Sequence, residues 1–354
     1  MIAAWERYEA GADAAEDIAH HLGISLAKKD PPILSTPGYE QAVRSLLRAF
    51  GGTVRDADKA AYAAAATKLD ADWPSLSAAE RERVIRGAAK SILGVPEIVI
   101  GKVTKSIAAS MTQVVTITKR DARRVYRLGI QPTFTARDEK IINSAAKSQG
   151  NYITDRYANR AEAFSQRARD IVSKGLEGGA GRQDIGAILR EQLVGPALRT
   201  SEAYWETVAS VHIARARSWG QLAGFEEAGI TVYEFEAVLD SETTDQCRFL
   251  HGRRFEVGKA LDSFEAVEAD GASDAVERLQ PWMRVGKTSD GGQALFVDRG
   301  NGSRKMVARV EESGVGQDDK TGRYSGDIGV AAMQKLGVGM PPVHCRCRST
   351  CLPA

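Results

Sequence analysis

Two short stretches hold most of the soft metal-ligating side chains of this chain. DSETTDQCRFLHG, from Asp240 to Gly252, contains Cys247 and His251, and PPVHCRCR, from Pro341 to Arg348, contains His344, Cys345 and Cys347. Together they carry three of the four cysteines and two of the five histidines in 354 residues. Cys247 with His251 four residues on, and His344 with Cys347 three residues on, are two ligand pairs at spacings that zinc sites use. If the segment after Asp240 turns helically, positions 247 and 251 share one face. Zinc is then the expected cofactor, held by Cys247, His251, His344 and Cys347. Such a clip offsets the entropy of closing the long segment between the two stretches. A second arrangement fits the same residues without metal, with His344 and Arg348 paired to Asp240 and to backbone carbonyls. A third draws Asp240, Cys247, His251 and His344 as a hydrolytic site with a Cys nucleophile and a His base.

The elements that must position these residues can be read from periodicity. A long helix from Glu202 to Gly229 precedes the first stretch, with Trp205, Val208, Val211, His212, Trp219 and Leu222 as its apolar stripe. His212 in that stripe reads as a buried core histidine, and Arg215 as a residue at its edge reaching water. TVYEFEAVLD alternates well enough for a strand ending at Asp240. Pro341 and Pro342 restrict their own φ and disfavour helix before them, so they bring His344 in on an extended approach. Between the two stretches, about 256–338 reads as an insertion. In it Gln293 to Val297 and Lys305 to Val310 form a β-hairpin around residues 298–302, and a short helix runs from Ile328 to Leu336.

At these residues the chain resembles the phage head morphogenesis proteins typified by the F protein of phage Mu. The matching positions are Asp240, Thr243, Cys247 and Gly252, followed by Pro341, Pro342, His344, Cys347 and Arg348, with Ser349-Thr350 after the Arg. Where members have Pro and a polar residue after the His, this chain has Cys345-Arg346, so Cys345 and Cys347 both stand for the family cysteine. The interval between the halves is long, and the resemblance covers roughly Asn151 to the end. It implies a minor capsid protein of a tailed phage or prophage that aids head assembly and DNA packaging or delivery. The partners it implies are the portal protein and capsid or scaffold proteins, and the location is the virion interior, or the host cytoplasm during assembly. It implies no catalytic residues and no enzyme activity. The alternative is a toxin-like or nuclease enzyme using the Asp/Cys/His cluster.

The rest of the chain sets the class. With 48 Lys and Arg against 46 Asp and Glu, the net charge of +2 excludes a generally nucleic-acid-coating surface, so any basic surface is local. One local run, TKRDARRVYRLG, places Lys119, Arg120, Arg123, Arg124 and Arg127 around Tyr126 as a stripe for non-specific DNA or an acidic partner. No stretch approaches the roughly eighteen apolar residues of a membrane span. Helical patterns cover 3–22, which includes His20 and His21, then Tyr39 to Phe50, Ala57 to Leu69, a Ser77/Glu80 capping box leading to Leu93, and Pro96 to Gly129. Beyond Gln131-Pro132 a pattern from Ala136 to Ile171 breaks at Gly150-Asn151, and the Gly-rich LEGGAGRQD turns into another helix. The expected class is α+β. A mainly helical N-terminal region, 1–130, would dock the portal, and a mixed α/β head-morphogenesis domain, 131–354, carries the hairpin-bearing insertion.

Overall fold

The computed structural model of the protein describes residues 37–272, 274–298, 303–344 and 347–354. The expected helix over 3–22 with His20 and His21, the Pro-rich segment before Pro37, Cys345 and the tip of the hairpin at 299–302 lie outside the described residues. In chain order the elements are α1 (Pro37–Lys68), a 3-10 turn (Trp73–Ser75), α2 (Ala78–Leu93), α3 (Val95–Tyr126), α4 (Ala136–Glu177) and α5 (Arg182–Leu189). A π-turn (Arg190–Val194) leads into α6 (Gly195–Glu227), then β1 (Val232–Glu236), α7 (Asp245–Leu250), β2 (Arg254–Glu256), α8 (Val257–Asp270) and α9 (Ala275–Leu279). Strands β3 (Met283–Lys287), β4 (Gln293–Asp298), β5 (Arg304–Glu312) and β6 (Arg323–Ser325) follow, then α10 (Val330–Lys335) and β7 (Thr350–Pro353). The class is α+β, as expected.

The expected boundary at 130 is not where the chain divides. One compact unit holds Leu47–Ser106 and Gln149–Thr207, and the other holds the described residues up to Leu46, Ile107–Ser148 and Val208–Ala354. Helices α1, α3, α4 and α6 each contribute part of their length to both units. A break in sequence pattern such as Gln131-Pro132 marks the end of a helix, which here is a hairpin inside one unit.

The first unit is helical. Ser77 caps α2 in a full capping box, its Oγ accepting from Glu80 N–H while the Glu80 carboxylate accepts from Ser77 N–H at 2.8 Å. Buried Asp58 accepts from the Tyr157 hydroxyl at 2.7 Å and pairs with Arg160 at 3.4 Å. The expected break at Gly150 is absent, and α4 continues to Glu177. A Cβ at Gly150 would meet Ile100 Cγ2 and Thr104 Cγ2 at 3.4 Å, so this glycine serves a close helix contact. The run after Gly175 does turn into a helix, α5.

The second unit is built around the C-terminal half of α6, which is buried on every face from His212 to Phe225. A helix buried all round is a core helix, so the expected single stripe understates its burial. Trp219 meets the Phe264 ring edge-on at 5.4 Å, Phe225 meets Tyr126 at 5.1 Å, and Gly220 brings α6 against Thr118 of α3. Arg215 is buried too, at 8% exposure, where the sequence reading put it at a watery edge. Beside this helix lies an antiparallel three-stranded sheet in the order β2-β1-β7, with Tyr233 opposite Phe255 and Phe235 opposite Cys351. The insertion is larger than a hairpin. It opens with α8 and α9 and forms a four-stranded antiparallel meander β3-β4-β5-β6, of which the expected pair is β4 and β5.

Candidate metal centre

The strand β1 and the turn after it deliver the first half of the motif. Asp240 N–H donates to Thr243 Oγ1 at 3.1 Å, and the Thr243 hydroxyl lies 2.8 Å from the Asp240 carboxylate and against the Val238 carbonyl. This Asx-type turn starts α7. The six residues of α7 then bury Cys247 and Arg248. Gly252, at φ 75°, reverses the chain into β2 and donates its N–H to Phe235 O at 2.9 Å, a backbone conformation that a side chain would strain.

The second half arrives through buried Pro341 and Pro342, joined by a cis peptide bond rather than in the extended form expected of them. Beyond it, Arg217 donates to Ser349 O at 2.6 Å, Gln221 to Thr350 Oγ1 at 2.6 Å, and β7 pairs with β1. The C-terminal segment is therefore tied to the core helix on one side and to the sheet on the other.

Between these ties the halves meet. Cys247 Sγ lies 3.0 Å from His344 Nε2 and 3.7 Å from Cys347 Sγ, and the three ligand atoms all lie within 4.8 Å of one another. Arg348 closes the motif by donating to Asp240 Oδ2 at 2.5 Å. A tetrahedral zinc with bonds of about 2.3 Å to sulfur sets two sulfurs about 3.8 Å apart, close to the spacing found. The Cys247–His344 contact is a direct hydrogen bond, and seating an ion there requires it to open by about 0.5 Å. These three residues can hold a metal ion.

Charge in the cluster is uneven. Burial pushes the Cys247 thiol well above the usual range, and its hydrogen bond to Cys347 adds to that. Burial opposes ionisation of Cys347 as well, but the hydrogen bond from Cys247 and the positive charge of His344 hold it well below the usual range. Of the two, Cys347 is therefore the more readily ionised. At Asp240, burial is outweighed by Arg348 and Thr243, which keep the carboxyl below its ordinary value.

His251 is not among the residues whose ligand atoms converge. The helix stops at Leu250, and His251 leaves it at ψ 131°, so the face shared by positions 247 and 251 does not extend that far. Its Nδ1 accepts the Ala237 N–H at 3.1 Å, which places the proton of the neutral ring on Nε2. Cys351, buried on β7 opposite Phe235, is also outside the cluster. Lys119 leaves the expected basic stripe. It is buried at 2% exposure, bonded to Asp138 at 2.7 Å and to Glu227 and the Thr133 carbonyl. Arg120, Arg123, Arg124 and Arg127 remain exposed, Arg120 against Asp121 and Arg127 at φ 56°.

Two contributors carried no signal in the sequence. Arg248, 1% exposed, donates to the carbonyls of Thr243 and Gln317 at 2.8 Å each and to those of Asp240 and Lys320. It clasps the loop after β5 onto the motif, helped by Gly316 N–H to Ser241 O at 3.1 Å. Asp245 accepts from Ser313 and Tyr324 at 3.0 Å, so the insertion sheet supports the turn that carries Cys247. No protein-family model, no curated protein and no solved structure matches this chain.

Proposed function

We propose that the chain is a minor head protein of a tailed phage or prophage, in which a zinc ion at Cys247, His344 and Cys347 fastens the C-terminal segment to the motif beginning at Asp240. The observation that supports this reading is the convergence of the two halves, with Cys247 and His344 hydrogen-bonded across 97 residues and Arg348 paired with Asp240 across 108. Two thiol groups and an imidazole form a soft, borderline donor set that suits zinc better than hard cations. The partners are the portal protein and capsid or scaffold proteins, with non-specific DNA taken by the exposed arginines, and the place is the head interior or the host cytoplasm during assembly. The ion is structural, and the protein has no turnover of its own.

Co-expression with a portal protein from the same genome tests the assembly role. A stable complex on size-exclusion chromatography is expected. A neighbourhood lacking portal and terminase genes, together with no portal binding, would sink the reading.

A second reading has one observation in its favour. With His251 excluded, three ligands leave a fourth coordination position open, as in catalytic zinc sites, which would suit a toxin-like or nuclease enzyme. Against it stands the burial of both sulfurs, 3% exposed at Cys247 and 8% at Cys347. Incubation with DNA, RNA and nicotinamide dinucleotide separates the readings. A product that is lost in Cys247→Ala, with the fold intact, would establish the enzyme.

A further inference from the structure

Cys247 and Cys347 have a chemistry of their own besides ligation. Both are free thiols, and their sulfurs are in contact, 3.7 Å apart, across 100 residues of chain. Each is held from outside the cluster. The Asp240 turn and Arg248 fix the segment carrying Cys247, while the bond from Arg217 to Ser349 and the pairing of β7 with β1 fix the segment carrying Cys347. Folding has therefore already met the entropy of closing a long loop, a cost that otherwise opposes joining two distant cysteines. A disulfide bond is about 2 Å long, so the sulfurs must approach by about 1.7 Å, a displacement that small rotations about the two Cα–Cβ bonds can cover.

We propose that Cys247 and Cys347 are a redox pair, oxidised by peroxide to a disulfide that joins the two halves of the motif covalently. Cys347, at 8% exposure against 3% for Cys247, is the sulfur a small oxidant reaches first. It displaces one oxygen of hydrogen peroxide, giving a sulfenic acid and water. The Cys247 sulfur then attacks the Cys347 sulfur, the hydroxyl leaves with the Cys247 thiol proton as a second water, and the S–S bond forms. Two electrons pass to the peroxide, and the chain loses two hydrogen atoms. The disulfide takes two of the three converging ligands and leaves His344 alone, so a bound metal and the disulfide exclude one another. That exclusion rests on the zinc reading above, whereas the disulfide itself needs no metal.

The test uses the full chain, stripped of metal with EDTA and shown by circular dichroism to be folded. It is treated with hydrogen peroxide, blocked with iodoacetamide and digested with trypsin. Cleavage after Arg217, Arg248, Lys335, Arg346 and Arg348 puts the four cysteines on four peptides, Cys247 on 218–248, Cys345 on 336–346, Cys347 on 347–348 and Cys351 on 349–354. The expected product is peptide 218–248 linked to Cys347-Arg348, two hydrogens lighter than the sum of the two and separated by dithiothreitol. The disulfide is overturned if Cys247 is recovered alkylated, if Cys347 is carried on to the sulfinic acid, or if Cys247 is found joined to Cys345, to Cys351 or to another chain. Zinc is then offered to the reduced and the oxidised protein. Uptake of about one zinc by the reduced form, none by the oxidised form, and recovery of uptake with dithiothreitol are expected. Equal uptake by both forms overturns the exclusion. Uptake by neither removes the zinc reading and the exclusion with it, while the linked peptide still decides the disulfide.

Discussion

Cys247 Sγ and Cys347 Sγ lie 3.7 Å apart although 100 residues separate them in the chain. Both are free thiols, and neither is brought there by the other. The strand-and-turn scaffold from Val232 to Thr243 places Cys247, and the ties of Ser349 and Thr350 to α6 place Cys347. A site assembled by independent supports needs little reorganisation to take an ion.

Metal analysis of protein purified without chelator is expected to give about one zinc per chain. Cys347→Ser and His344→Ala should each lose it and expose the stretch from Met340 to Arg348 to protease. His251→Ala and Cys351→Ser should keep it. Protein free of metal with a protease-resistant C-terminal segment would show instead that the hydrogen bonds of Arg348, Asp240 and the cluster suffice.

Replacing Arg248 should be among the most damaging single changes. Arg248→Met leaves four carbonyls without their donor, and a loss of about 4 kcal/mol is expected in urea unfolding. A loss below about 1 kcal/mol, in the range of ordinary surface changes, would contradict the clasp.

Lys119 and the arginines that follow it should separate cleanly. Lys119→Met strands Asp138 and Glu227 and should cost about 3–5 kcal/mol. Changing Arg123, Arg124 and Arg127 together to Ser should leave thermal stability nearly unchanged, since exposed charges contribute little. If the exposed arginines bind duplex DNA, the triple variant should also weaken that affinity and flatten its salt dependence.

Stability should respond to His212 as the solution is acidified. Its folded pKa is lowered to about 3 from 6.5, so the folded state resists a proton that the unfolded chain accepts. Above pH 6.5 both states are neutral and the contribution is complete. Below it stability falls by about 1.4 kcal/mol per pH unit, until the pH reaches the folded value. His212→Gln should flatten that limb relative to the parent chain, and identical pH profiles would refute the assignment.

Much of this architecture was legible because local chemistry decided it. The Ser77/Glu80 box, the alternation of Val232, Tyr233 and Phe235, and the β4–β5 pair are short-range signals, and each element is found, although β1 stops at Glu236 instead of running on to Asp240. The motif positions Cys247, His344 and Cys347 could be paired from spacing and residue type. His251 could not be excluded that way, because the end of α7 at Leu250 depends on the turn into β2 and not on helical periodicity. Lys119 looked like part of a charge run, since only the fold brings Asp138 and Glu227 to it. Arg248 carried no local signal, and the place of Arg215 at the edge of the apolar stripe did not reveal its burial, because their surroundings come from segments far away in sequence.

The clasp made by Arg248 turns the four-stranded sheet into a handle. The loop leaving β5 and the helix carrying Cys247 are gripped by the same guanidinium, so a pull on Lys320 is felt one residue from the sulfur cluster. Whatever takes hold of that sheet gains leverage over the cluster, and the force it applies becomes one more determinant of how firmly the two halves of the motif stay joined.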